Sequence, residues 1–228
     1  MKRLIIIPAY TEQESILDTV RDVEKNAPGF DYVVVNDCSK DNTLQICREN
    51  YIHVLDLPIN LGIGGAVQTG YLYAYRNGYD IAAQIDGDGQ HDASYLGMMA
   101  DELISENLDM VIGSRFIDNE GFQSSWIRRS GIRFFTFLMR VLFGKTITDA
   151  TSGMRLCNRR TMELFIRDYP RDYPEPETVA RLLRHKYKVK EVPVKMRERS
   201  GGVSSISARK SVYYMIKVTL AILMERLR

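Results

Sequence analysis

The chain has 228 residues, 45% of them hydrophobic and 26% charged, with 7 Pro and 16 Gly. That composition leaves room for one large or two small domains with a sizeable core, and excludes a disordered, collagenous or disulfide-stapled protein. A net charge of +2 conceals an asymmetry, since residues 1–120 hold 8 Lys/Arg against 20 Asp/Glu and residues 121–228 hold 23 against 9. Such a split predicts a first half that handles cations and a second half that meets anions.

The N-terminus runs from Met1-Lys2-Arg3 straight into the apolar Leu4–Ile7 and Pro8. That is too short for a signal peptide, and no stretch approaches the roughly 18 apolar residues of a membrane span. The expectation is a protein not integral to a membrane. Cys38, Cys47 and Cys157 are widely spaced with no C-x-x-C, and are read as reduced cytosolic thiols.

From Leu4–Ile7 onward, strand and helix signals alternate. A helix is predicted over Glu12–Asn26, with Ile16, Leu17, Val20 and Val23 at helical spacing. Tyr32–Val35 is a second strand, followed by a helix at Thr43–Asn50 with Asp41 or Asn42 as its cap. His53–Leu57 is a third strand. The glycine-rich turn Asn60–Gly65 opens a helix that runs to Arg76 and ends at Asn77-Gly78. Tyr79–Ile85, a helix at Ser94–Glu106 and a strand at Met110–Ile112 complete the series. Strands separated by helices predict a mainly parallel, Rossmann-like sheet with helices on both faces. Ligands of such sheets lie beyond the carboxyl ends of the strands. Tyr10, Asp37, Asp86 with Asp88, and Arg115 each fall just after a strand.

The second half is less regular. Trp126–Phe143 reads as a helix with Arg129, Arg133 and Arg140 on one stripe and Phe134, Phe135, Leu138 and Leu142 on another. Asp149–Arg155 reads as a polar loop and Val189–Val194 as a strand. Ser207–Arg228 reads as an amphipathic closing helix of roughly 33 Å, its apolar stripe being Val212, Ile216, Leu220, Leu223 and Leu227. One domain over residues 1–206 with a helical extension over 207–228 is expected.

Asp86-Gly87-Asp88-Gly89-Gln90-His91-Asp92 is the sharpest chemical feature. Two carboxylates two residues apart at a strand end can share one hard divalent cation and leave positions for phosphate oxygens and water. An EF-hand loop needs glycine at its sixth position and glutamate at its twelfth, where this chain has His91 and Gly97. A haloacid-type phosphatase carries its D-x-D on the first strand, not the fourth. A carboxylate pair holding metal and diphosphate fits best.

With these residues in view, the chain resembles the GT-A glycosyltransferases of family 2, above all those that use dolichyl or undecaprenyl phosphate. The resemblance runs from about Leu4 to Ile206. Pro8-Ala9-Tyr10-Thr11-Glu12 is similar to P-x-Y-N-E, and Val35–Thr43 to V-D-D-G-S-x-D-x-T with Asn36 and Cys38 as departures. The turn at Asn60-Leu61-Gly62 and Gly64–Ala66, the acidic motif, Gly113-Ser114-Arg115 and Asp149–Arg155 follow in order. Arg199 with Gly202 and Ser204-Ser205 resembles R-x-x-G-x-S-K, with Ser205 in place of the lysine.

The resemblance implies a metal-dependent, inverting transfer of one sugar from a nucleotide-sugar, UDP-linked in preference to GDP-mannose, to a polyprenyl phosphate for cell-surface glycans. It implies nucleotide-sugar contacts at Pro8, Tyr10, Glu12, Asp37, Gly62, Asp86 and Arg199. Mg²⁺ or Mn²⁺ is expected at Asp86, Asp88 and Gln90, and the acceptor phosphate at Arg115, Arg129, Ser152 and Arg155. Asp86, Asp88, Asp149 and Glu177 are the candidate catalytic carboxylates, the last two chiefly for orientation. Extension of a glycan hydroxyl is the rival activity, and an inactive scaffold the rival of another class. A sugar-1-phosphate nucleotidyltransferase lacks support because its glycine-rich N-terminal loop with Arg and Lys is missing. Expected partners are the sugar nucleotide, the lipid phosphate, the inner membrane surface and a small membrane protein or second copy. Nucleic acid is disfavoured by the acidic half.

Overall fold

The computed structural model describes residues 1–118, 126–197 and 208–227. In chain order these form β1 (Arg3–Ala9), α1 (Ile16–Asn26), β2 (Asp31–Asn36), α2 (Thr43–Glu49), β3 (Val54–Asp56), α3 (Gly62–Arg76), β4 (Ile81–Gln84) and α4 (Tyr95–Ser105). There follow β5 (Met110–Ser114), α5 (Trp126–Phe143), β6 (Arg155–Asn158), α6 (Arg159–Arg167), α7 (Pro174–Arg184), β7 (Val189–Pro193) and α8 (Ala208–Leu227). The strands make one sheet in the order β3-β2-β1-β4-β6-β5-β7. Every pairing is parallel except those of β6, which lies antiparallel between β4 and β5.

Central strands buried on both faces read as continuous apolar runs. In β1, Ile5 and Ile7 enter one core with α1, α2 and α4, while Leu4 and Ile6 enter the other with α3, α5, α6, α7 and α8. Helices on both faces, as expected, leave the strand ends as the open edge. The approach of α3 to β1 depends on Gly70, where a Cβ would sit 2.2 Å from Ile6.

One reading is corrected. The polar loop ends one residue earlier than read, because Arg155 begins β6, and β6, α6 and α7 fill a region for which no elements were expected. A four-residue strand, Arg-Leu-Cys-Asn, is too short to announce itself; it forms because β4 and β5 present unpaired edges on both sides. In α8 four residues of the apolar stripe read from the sequence face outward, Ile216, Leu220, Leu223 and Leu227 being between 36% and 86% exposed, while the Val212 side chain lies outside the described residues. The buried side carries Val218, Ile222 and a charged residue, Glu225. Glu225 receives Arg181 of α7 at 2.8 and 3.0 Å, so an ion pair nearly closed to solvent ties the last helix to the fold.

Candidate active site

β1, β2 and β4 run parallel, and β4 and β5 both run against β6, so their C-terminal ends share one edge of the sheet. Tyr10, Asp37, the acidic loop and Arg115 therefore gather there, as the sequence order predicts.

The acidic loop is anchored from behind. Ser15 and Thr19 donate their hydroxyls to the Gly87 carbonyl at 2.8 and 3.1 Å. The Asp86 amide donates to His91 Nδ1 at 2.9 Å, which places the ring proton on Nε2, 3.9 Å from Asp86 Oδ2. Asp88 Oδ1 accepts the Gln90 amide at 3.1 Å, and Gly89 takes a left-handed φ of +77° that few other residues tolerate. His91 bridges to Met196, and Arg197 pairs with both Asp22 and Asp92. Anchored on α1 and residues 196–197, the loop keeps the Asp86 side chain at the opening, 39% exposed, while Asp88 is buried.

Asp86, Asp88 and the Gln90 amide supply oxygen donors of the kind a hard divalent cation takes. Among the described residues no group of three or more His, Cys, Asp or Glu makes a closed metal cage. The donor set thus fits an ion that completes its shell with ligand oxygens and water.

On the β1–β2 side, buried Asp37 accepts the Leu61 amide at 2.6 Å and thereby holds the glycine-rich turn. Burial pushes its carboxyl pKa up, and the Leu61 and Gly62 amides work against that rise. Gly62 adopts φ +76°, and a Cβ at Gly64 would stand 2.0 Å from the Pro170 carbonyl oxygen. Tyr10 is a half-exposed rim aromatic. Glu12 receives the Ser15 hydroxyl at 3.0 Å, and Pro8 is buried in β1 beside Gly87.

On the β5 side, Arg115 is clasped by Asp149, with Nε and Nη2 donating to its two carboxylate oxygens at 2.7 and 2.8 Å. Asp149 is fully buried. Burial alone would favour losing the Arg115 proton; the bonds to Asp149 and the charges of Asp149 and Asp86 outweigh it, and the guanidinium is held charged. Beside this pair lies a cleft of about 250 Å³ lined by Phe116, Arg129, Ile132, Arg133, Thr136 and Thr148. The turn after Asp149 also reaches the acidic loop. A Cβ on Gly153 would fall 2.7 and 2.8 Å from the Asp86 carboxylate oxygens.

Two expected site residues, Arg155 and Ser152, are corrected, and a third, Glu177, is found in an ion pair. Arg155 is fully buried and spends its donors on the Ser152, Ala150 and Glu175 carbonyls and the Thr178 hydroxyl, so it does not face an acceptor. Ser152 is buried within the same turn, its hydroxyl bonded to the Met154 backbone. Glu177 pairs with Arg181, near Glu225 of α8. Arg199 lies outside the described residues. Sequence reasoning missed His91, which was read only against an EF-hand template, and Glu191, whose sole signal was a charge inside an apolar strand.

Arg155 therefore braces the turn that carries Asp149 and Gly153. Arg155→Met is expected to strand three carbonyls and cost about 3 kcal/mol, roughly 6–12 °C in Tm. A thermal melt within 2 °C of native would contradict that role.

The acidic loop and a clasped arginine thus share the open edge of a largely parallel sheet. Residues 4–165 match the family Glycosyl transferase family 2; the chain belongs to that family and is a glycosyltransferase. The undecaprenyl-phosphate mannosyltransferase of Micrococcus luteus is 30% identical over 217 residues, 91% of this chain and 88% of that protein. The UDP-N-acetylglucosamine–dolichyl-phosphate N-acetylglucosaminyltransferase of Methanococcus voltae is 29% identical over 215 residues, 84% of each chain. In structure, the chain is similar to glucosyl-3-phosphoglycerate synthase from Mycobacterium tuberculosis, solved with Mn²⁺, UDP-glucose and phosphoglyceric acid. The TM-score is 0.74 at 15% identity, over 99% of this chain and 79% of that one. The fold is GT-A.

Proposed function

We propose that the enzyme transfers one sugar from a nucleotide-sugar to a polyprenyl phosphate, with inversion at the anomeric carbon. The observation that carries this reading is the charged cleft. Arg115, held in place by Asp149, stands next to a hollow carrying Arg129 and Arg133, and the same turn touches Asp86 of the donor-side acids. The relatives named for undecaprenyl and dolichyl phosphate support the acceptor class. Their names differ in the sugar moved, and UDP-linked donors are preferred here on the sequence resemblance.

In this reading Asp37 and the turn it holds shape the nucleoside pocket, and Asp86, Asp88 and Gln90 hold Mg²⁺ or Mn²⁺. When bound, the ion supplies Lewis-acid neutralisation of the departing diphosphate. The acceptor phosphate is already anionic at neutral pH, so Arg115 and the cleft arginines position it instead of deprotonating it. A phosphate oxygen then bonds to the anomeric carbon as the bond to the nucleoside diphosphate breaks, its electron pair leaving with the diphosphate.

The acceptor's tail requires a bilayer, and the outer faces of α5 and α8 suit one. Phe137, Val141, Ile216, Leu220 and Met224 are all more than half exposed, beside exposed Arg133 and Arg140. Among the described residues no helix is long and apolar enough to cross a membrane. The chain is expected to float with vesicles containing anionic lipid and to be released by salt. Phe137→Glu with Leu220→Glu is expected to abolish flotation; retention by the double variant would remove this surface from the account. Labelled sugar nucleotides offered with undecaprenyl phosphate or with an oligosaccharide test the transfer itself. Label on the oligosaccharide alone would overturn the lipid acceptor.

A further inference from the structure

Glu191 places a carboxylate in the middle of β7, between Lys190 and buried Val192. Its Oε2 accepts the Thr148 amide at 2.6 Å, while Oε1 accepts the Asp149 amide at 2.7 Å and the Thr148 hydroxyl at 3.0 Å. The Thr148 hydroxyl also meets Ser114 Oγ, at the end of β5, at 2.8 Å. Asp149 in turn clasps Arg115, and Thr148 lines the cleft that carries Arg129 and Arg133. A continuous chain of bonds therefore runs from β7 to the guanidinium.

The sheet has no need of this acid. β7 pairs with β5 at five consecutive positions through its backbone. A carboxylate taken from water is costly unless its lone pairs are filled. Burial does push the Glu191 carboxyl pKa up, against the lowering effect of the Thr148 and Asp149 donors. What the acid contributes is a fixed conformation of residues 148–149.

We propose that Glu191 is a positioning residue for the acceptor's phosphate, acting through the Thr148–Asp149 backbone to fix Arg115 beside the cleft. The inference rests on the lipid-phosphate reading above. In Glu191→Gln one oxygen becomes an amide NH₂ that meets a backbone N–H, so one of the two anchored amides loses its acceptor. Glu191→Asp keeps the charge on a shorter arm.

The test uses the full chain, with undecaprenyl phosphate varied at fixed donor and with donor affinity measured separately by calorimetry. Glu191→Gln is expected to raise the acceptor KM about tenfold or more while the donor Kd stays native, and Glu191→Asp to fall between. In NMR, the Arg115 Nε–H, shielded by Asp149 in the native chain, is expected to exchange faster in Glu191→Gln. A native acceptor KM with native Arg115 protection would overturn the proposal. So would a joint loss of donor and acceptor binding with a lowered Tm, which marks a merely structural role. A native chain inactive on lipid phosphates overturns the acceptor reading and this inference together; on an active native chain, the variants judge Glu191 alone.

Discussion

Asp88→Asn is expected to lower turnover by roughly 10³-fold while leaving the fold intact. Asp88 is nearly buried at the tip of the acidic loop, and Asn at that position keeps the shape and loses the charge. Its Oδ1 already accepts the Gln90 amide, and Asn can retain that bond, so the turn itself is expected to persist. What disappears is half of the paired negative charge proposed to hold a divalent ion against the leaving diphosphate. Charge stabilisation of that kind is worth several kcal/mol at the transition state, and each 1.36 kcal/mol is a factor of ten in rate. The check is steady-state transfer alongside Mn²⁺ titration and circular dichroism. A folded Asp88→Asn chain that turns over at the native rate, or native turnover in excess chelator, would end the metal assignment.

Gly153→Ala is expected to be nearly as damaging, for a steric reason. The backbone at Gly153 does not lie in the left-handed region, so alanine is tolerated locally. Its methyl, however, would stand 2.7 and 2.8 Å from the two oxygens of Asp86. A short side chain such as aspartate has no flexible length with which to yield, and must rotate out of position. Misplacing a catalytic group by about 1 Å costs on the order of 10²-fold. The expected result is a fall of about 10² in kcat/KM with Tm within about 2 °C of native. An active Gly153→Ala would mean that Asp86 has freedom the packing does not suggest. A large drop in Tm would move the effect from the site to the fold.

The proposed donor side of the site was far more legible in the sequence than the proposed acceptor side. Asp86, Asp88 and Gln90 are neighbours in the chain, each candidate loop follows a strand made of a continuous apolar run, and strand direction alone sends them to one edge. The acceptor side is assembled from β5, the turn at residues 148–153, α5 and β7, segments that are distant in sequence. There an arginine in a promising motif looks the same whether it meets solvent or structure. Arg115 and Arg155 illustrate this: one faces a carboxylate beside a cleft, the other is buried among carbonyls.

Helix α8 makes the same point with apolar residues. Periodicity reports that a helix has an apolar stripe, but not which stripe is covered when two sides compete. The Arg181–Glu225 ion pair draws the side with Val218, Ile222 and Glu225 inward and leaves Ile216, Leu220 and Leu227 outside. The parallel sheet, the family resemblance and the acidic loop were readable from the chain alone, because local periodicity and residues adjacent in the chain are properties of a segment. The tertiary structure decided the insertion of β6, the inward turn of Arg155, the clasp of Arg115 and the reach of Glu191. Those depend on which donors find acceptors once water is excluded, and that is settled only by segments far apart in the chain coming together.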